Sequence, residues 1–270
     1  MDILLVTATA MEMRAVLSGV SAAGGAGGEV FRLGRCRLHP LICGVGPVNA
    51  AFALGRRLGL AGSPDARPFF SAVLNMGIAG TYDQDRLPVG SVAAASAEIW
   101  PEYGLAGAGQ VDAVGLGFAQ AVYRGGRIVE RVELAPQEAL GSLGIGWHTP
   151  PLDCPAVTVA GCSADPERAR SLRERTQGLM ENMEGFALAL GCLHYENGLG
   201  VPGVDGSLGI GPSGAKTAEH VSGGEPRVLP ALPFVEIRSI SNVAGCRPPK
   251  GWDMPGALAA LSRTAKELFA

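Results

Sequence analysis

A guanidinium, two hydroxyls and a carboxamide end the apolar run LPFVEIRSISN (232–242) as Arg238, Ser239, Ser241 and Asn242. Apolar–polar alternation of this kind marks a β-strand, and polar groups at a strand end stand where a ligand can meet them. Asn242 can donate and accept hydrogen bonds but cannot transfer a proton, so it offers recognition rather than acid–base catalysis. Two carboxylates hold comparable places. Glu12 follows the first apolar run and opens a helical pattern, where a helix N-terminus stabilises negative charge. Glu184 heads the apolar stretch GFALALGCL (185–193), and a buried carboxylate without a partner is costly. Glu181, three residues earlier, reads as a helix cap; Glu184 has no equally plain structural use.

Two glycine-bearing segments join them. NMGIAG (75–80) reads as a strand ending in a turn, with Gly77 and Gly80 leaving backbone groups open towards a planar ligand. CGVGPVNAA (43–51) sets Gly44 and Gly46 between a strand and a helix. Asn49 stands where a dinucleotide fingerprint has its third glycine, so close backbone approach is the better reading. Each of these segments begins or ends a core strand, which lets Glu12, Gly77 to Gly80, Glu184 and the 238–242 cluster converge on one pocket.

The elements that must do this positioning are strands over 2–8, 37–43, 70–77, 90–99, 156–162 and 232–241, several apolar on both faces. Between them lie helices over 10–18, 47–60, 166–176, 184–196 and 255–269. Asp165-Pro166 supplies a cap and proline for the third of these. Alternating strands and helices predict an α/β fold with a central, largely parallel mixed sheet flanked by helices, binding its ligand at the strand carboxyl ends. Residues 196–230, rich in Gly, Pro and Ser and without periodicity, read as a long inserted loop.

The chain has 270 residues, 47% of them apolar, enough for a sizeable core. A net charge of −3 with no basic stripe argues against nucleic acid and anionic membrane as partners. MDILLVTATAMEM carries Asp2 in place of a basic leader and is read as a first strand, not a signal peptide. Six cysteines without a C-x-x-C pair predict free thiols in a cytoplasmic protein, and four scattered histidines predict no metal.

In order along the chain, ATAMEM (8–13), CGVGPVNAA (43–51), NMGIAGTYD (75–83), LPVGSV (87–92), ENMEGFA (181–187) and RSISN (238–242) resemble the nucleoside phosphorylase/nucleosidase superfamily. Within it the likeness is to the futalosine hydrolases. The resemblance implies one nucleosidase domain over 1–270 that hydrolyses a ribosyl N-glycosidic bond without a cofactor. Such a reaction needs a stabilised leaving base, a positioned water and stabilisation of an oxocarbenium-like sugar. By resemblance Glu12 activates the water with Arg238 beside it, while Met183 and Glu184 hold the ribose. Ile78, Ala79 and Gly80 meet the base, largely through backbone, and Ser241 orients Asn242 or the base.

Adenine-specific relatives carry Asp at the position of Asn242, accepting from a 6-amino group. A 6-oxopurine presents an acceptor there instead, which an amide N–H can satisfy and an ionised Asp cannot. The resemblance therefore points to futalosine, with hypoxanthine released in menaquinone biosynthesis. The alternatives are a methylthioadenosine/S-adenosylhomocysteine or aminofutalosine nucleosidase, a nucleoside phosphorylase, and a non-catalytic nucleoside-binding protein. A homodimer or larger homo-oligomer is also implied, as is a pocket for the 5′ substituent, for which Arg247, Trp100 and Trp252 are candidates.

Overall fold

Six consecutive buried residues make Asp2–Thr7 the first strand, β1, of the computed structural model. It describes residues 1–61, 70–107, 110–123, 126–195, 229–230, 232–247 and 251–270. Next come α1 (Ala10–Ala22), β2 (Ala26–Gly27), β3 (Phe31–Leu33), β4 (Cys36–Ile42), α2 (Pro47–Ala61) and β5 (Ala72–Thr81). β6 (Val92–Ile99) leads into small elements: β7 (Leu105–Gly107), β8 (Gln110–Asp112), α3 (Ala113–Leu116), β9 (Ala121–Tyr123), β10 (Gly126–Ile128), β11 (Arg131–Glu133) and α4 (Pro136–Leu143). β12 (Leu152–Thr158), α5 (Pro166–Thr176), β13 (Met180–Asn182), α6 (Gly185–His194), β14 (Phe234–Val243) and α7 (Met254–Leu268) follow.

Ten of these strands form one mixed sheet. Parallel pairing joins β4, β1, β5 and β14 in one set and β6, β12 and β13 in another. The two sets meet antiparallel, at β13 against β5 and at β14 against β6. Strands β5, β14, β6, β12 and β13 therefore close into a ring. Helices cover the sheet on both sides. Met13, Val16 and Val20 of α1 pack with Leu261, Ala265 and Leu268 of α7 in one core. Leu54 and Leu58 of α2 pack with Phe186, Leu188 and Leu193 of α6 in the other. Each of the larger side chains contributes about 1.5–3 kcal/mol on burial, so these cores fix where α1 and α6 begin, and with them Glu12 and Glu184.

The structure departs from the sequence reading in three places. β5 does not end in a turn at Gly77 but runs through Gly80 to Thr81 as continuous strand. The strand predicted over 156–162 ends earlier, at Thr158. Glu181 lies on β13, a strand hidden within the stretch taken as helix start, and α6 begins only at Gly185. Of the insertion read over 196–230, all but residues 229 and 230 lie outside the described residues.

Candidate active site

Thr9 caps α1 in a reciprocal box: its hydroxyl accepts from Glu12 N, and Glu12 Oε2 accepts from Thr9 N at 2.8 Å and Thr9 Oγ1 at 2.7 Å. A cap of this kind contributes about 1 kcal/mol. Here it also freezes the carboxylate, whose Oε1 accepts from Ile78 N at 3.0 Å. Glu12 is almost wholly buried yet lines a cavity of about 580 Å³. A carboxylate can accept about four hydrogen bonds, and three are taken by the protein. One lone pair, on Oε1, is left over by these hydrogen bonds.

Glu184 reaches the same cavity from the opposite direction. β13 runs antiparallel to β5, with Glu181 beside Gly80, so the chain beyond Asn182 heads back along β5 towards Gly77. Asn182 Oδ1 accepts from Glu184 N at 3.0 Å and Gly185 N at 2.8 Å, which caps α6 and holds Glu184 at its head. Glu184 Oε1 accepts from Gly46 N at 3.1 Å and its Oε2 from Arg238 Nη2 at 3.3 Å. Burial pushes the Glu184 carboxyl above its ordinary range; Arg238 and the Gly46 N–H pull it back only in part. The glycine turn of 43–46 thus serves Glu184: Gly46 stands at φ 94°, and Asn49 Nδ2 closes the turn on Val45 O at 2.7 Å.

Arg238 is fully buried and does not line the cavity. Its Nε donates to Glu236 Oε1 at 2.6 Å and its Nη1 to Ile78 O at 3.2 Å. Burial works against its charge, but Glu236, Glu184 and Glu12 outweigh that and hold the guanidinium firmly protonated. Arg238 therefore stands behind the cavity wall, bonded to Glu184 and to Ile78 O, rather than on the wall beside a water.

A bulge in β14 makes the last part of the wall. The register with β5 shifts between Ile240 and Asn242, which turns Ser241 and Asn242 to the cavity. Ser241 Oγ lies 2.9 Å from Asn242 Oδ1 and 3.2 Å from Ala79 O, and Asn242 Nδ2 donates to Val243 O at 3.1 Å. The amide is thereby held with a second N–H to spare. Ile78, Ala79, Gly80 and Met183 line the same cavity. Eight of the nine residues singled out from the sequence line it; the ninth, Arg238, supports two of them.

At the far end Cys246, Arg247, Trp252, Met254 and Leu258 extend the wall. Trp252 is brought there because its segment pairs with the end of β14 as an isolated antiparallel bridge to Asn242. Trp100 is elsewhere, packed 5.8 Å from Phe186 in the core, and is removed from the pocket candidates.

No protein-family model matches the chain, and no curated protein matches it either. Solved structures do. A futalosine hydrolase mutant of Helicobacter pylori strain 26695 aligns at 13% identity with a TM-score of 0.61, covering 99% of this chain and 97% of that one. A 5′-methylthioadenosine/S-adenosylhomocysteine nucleosidase from Colwellia psychrerythraea 34H, in complex with adenine, aligns at 18% identity and TM-score 0.64, covering 99% and 92%. An S-adenosylhomocysteine nucleosidase from Streptococcus pyogenes gives 17% identity and 0.57, over 99% and 97%. The fold is that of these nucleosidases.

Residues the sequence reading misassigned or passed over have clear jobs. Glu181 accepts from Ser163 N at 2.9 Å and from Tyr82 Oη at 2.8 Å, bracing the wall beside Met183 instead of capping a helix. Thr9 was signalled by its T-x-x-E spacing to Glu12. Cys246, Met254 and Leu258 carry no sequence signal, because their place in the cavity depends on how α7 folds back.

Proposed function

We propose that this protein is an N-glycosyl hydrolase of a 6-oxopurine nucleoside, with futalosine as substrate, releasing hypoxanthine and dehypoxanthine futalosine in menaquinone biosynthesis. The observation that carries the reading is Asn242, a neutral amide held on the cavity wall by Ser241 with one N–H unspent. An amide donor suits the O6 or N7 acceptor of a 6-oxopurine, where an ionised acid would be repelled.

The remaining groups fit the same reaction. Glu12 has one lone pair left for a water and accepts its proton as the water oxygen bonds to C1′. Glu184 keeps about two lone pairs free, matching the two adjacent hydroxyls of a ribose, and its charge stabilises the sugar cation as the C–N bond opens. The base departs with the glycosidic electron pair, its O6 or N7 bound by Asn242. Ile78, Ala79 and Gly80 offer a flat strand face for the purine, and Met183 packs on the sugar. Arg247 and Trp252 at the far end suit a benzoate-bearing 5′ tail. A cavity of about 580 Å³ falls within the usual range for such ligands.

Exposed Val45, Val48 and Phe52, the last two 80% and 72% exposed, lie on and just before α2 beside the cavity and support a homodimer or larger assembly. Free cysteines support a cytoplasmic setting; among the described residues no helix is long and apolar enough to cross a membrane.

The test is incubation with futalosine, aminofutalosine, methylthioadenosine and inosine, with and without phosphate, and chromatography of the released base. Hypoxanthine from futalosine without phosphate is the expected result. Adenine release alone would replace the reading with an adenine nucleosidase, and a phosphate requirement would replace it with a phosphorylase.

A further inference from the structure

Behind the cavity lies a second acidic pair that the reaction above does not use. Glu236 on β14 and Glu98 on β6 are both inaccessible to solvent. Glu98 Oε2 accepts from Thr158 Oγ1 at 2.6 Å and its Oε1 from Asn182 Nδ2 at 2.7 Å. Glu236 Oε1 accepts from Arg238 Nε at 2.6 Å and Asn75 Nδ2 at 3.3 Å, while Glu236 Oε2 has no hydrogen-bond partner among the described residues. That orphan oxygen and Glu98 Oε1 flank one spot: a Cβ added to Gly185 would collide with both.

The charge balance decides what fills the gap. Four carboxyls, Glu12, Glu98, Glu184 and Glu236, surround the one guanidinium of Arg238. Glu12 and Glu184 are satisfied as anions by backbone N–H groups and, for Glu184, by Arg238. Glu236 holds the shortest bond to the guanidinium, so its charge is compensated. Among the described residues Glu98 has no cation of its own. A fourth buried charge there would stand against a like charge, whereas one proton gives Glu236 Oε2 its missing donor. Burial and the neighbouring Glu236 carboxylate both push Glu98 well above the ordinary carboxylate range.

We propose that Glu98 and Glu236 share one proton across the gap left by Gly185, and as a singly charged pair fix the position and charge balance of Arg238. Both are then positioning residues for the candidate active site. Glu236 clamps Nε, leaving Nη1 and Nη2 for Ile78 O and Glu184. Glu98 is tied in turn through Asn182 to the cap of α6, so the pair also sets where Glu184 stands. The groups facing Glu98 are Glu236 and Arg238 from β14, Thr158 and the thiol of Cys154 from β12, Asn182 from β13, and the head of α6. Burial raises the Cys154 thiol to about 12, so it stays neutral.

Two measurements on the protein itself need no substrate. With ¹³C in the glutamate carboxyls, one resonance should remain in the protonated range at neutral pH and vanish in E98Q. Thermal unfolding supplies the second. The Glu98–Glu236 pair holds one proton when folded and both carboxyls ionise when unfolded, so the folded state binds the extra proton and loses stability as pH rises. Wild type should therefore lose melting temperature relative to E98Q between about pH 5.5 and 8.5. Parallel curves, no protonated carboxyl, or one that survives in E98Q would each overturn the proposal; the wild-type spectrum decides even if E98Q does not fold.

The positioning role rests on the hydrolase reading and is tested separately. E236Q should lower kcat by roughly tenfold or more with KM changed less than about threefold, because Arg238 shifts while the substrate-contacting groups remain. Unchanged kcat would remove the positioning role. A wild type inactive on every nucleoside would refute the hydrolase reading alone, leaving the shared proton to stand or fall on spectrum and unfolding.

Discussion

Arg238 and Gly77 are register partners across β14 and β5, and a Cβ on Gly77 would lie 2.6 Å from Arg238 Nη1 and 2.9 Å from Glu12 Oε1. The glycine is there for space: it lets a cation and a carboxylate from distant parts of the chain meet over one strand. Gly77→Ala must displace one of them. We expect kcat to fall by about tenfold to a hundredfold, since misplacing a reacting group by an ångström costs that much. A stability loss of about 1–3 kcal/mol should accompany it, the usual cost of overpacking. Steady-state kinetics and thermal unfolding check both. Unchanged values in both would mean that Arg238 and Glu12 do not approach Gly77.

Glu12→Gln tests the water. The amide can still occupy the capping box in part, so substrate affinity should stay within a few-fold while kcat drops by about 10²-fold or more, the scale of a lost general base. Turnover within about threefold of wild type would take Glu12 out of the mechanism.

Glu184 should impose an acid limb on the pH profile. The reaction needs its carboxylate, and burial raises its pKa, so protonation sets in at a higher pH than for an ordinary glutamate. On acidification kcat/KM should thus begin to fall above the usual carboxylate range near pH 4.3. Glu184→Gln should abolish that limb and lower kcat by about 10²-fold, while leaving Gly46 N or Arg238 facing an amide N–H at a cost of about 1–3 kcal/mol. Full activity in Glu184→Gln with a large loss of melting temperature would make the residue a structural cap.

How far the site could be read from the chain follows from what each residue depends on. Glu12, Ile78 to Gly80 and the 238–242 cluster sit at ends of strands whose apolar patterns are strong, and the parallel set β4, β1, β5 and β14 brings them to one side. Glu184 was found for an incomplete reason: it arrives from β13, which runs the other way, and β13 was illegible because three buried residues beside a helix start have no period. The glycines of 75–80 were taken for a turn because local preference cannot distinguish a bend from room made for a side chain of the neighbouring strand. Arg238 was legible as a charge but not as one behind the wall. Glu98 and Glu236 drew no attention because only the closure of β6 against β14 sets them together.

Asn242→Asp tests the substrate assignment most directly. The exchange replaces a neutral donor and acceptor by an acid that must be protonated before it can donate. Ser241 Oγ can still donate to one carboxylate oxygen, so the side chain keeps its place, but Val243 O loses its donor once the acid ionises. Against a 6-oxopurine the ionised acid meets O6 acceptor to acceptor, and futalosine cleavage should fall, more steeply as pH rises through the acid's pKa. Against a 6-aminopurine the same acid accepts from N6 and can hand a proton to N7, so aminofutalosine cleavage should gain. The ratio of the two kcat/KM values should shift by about tenfold to a hundredfold, the scale of one hydrogen bond inverted in a closed pocket. Both substrates, measured on both proteins between about pH 5.5 and 8.5, decide it. An unchanged ratio would mean that Asn242 does not face the purine edge, and the 6-oxopurine assignment would lose its physical support.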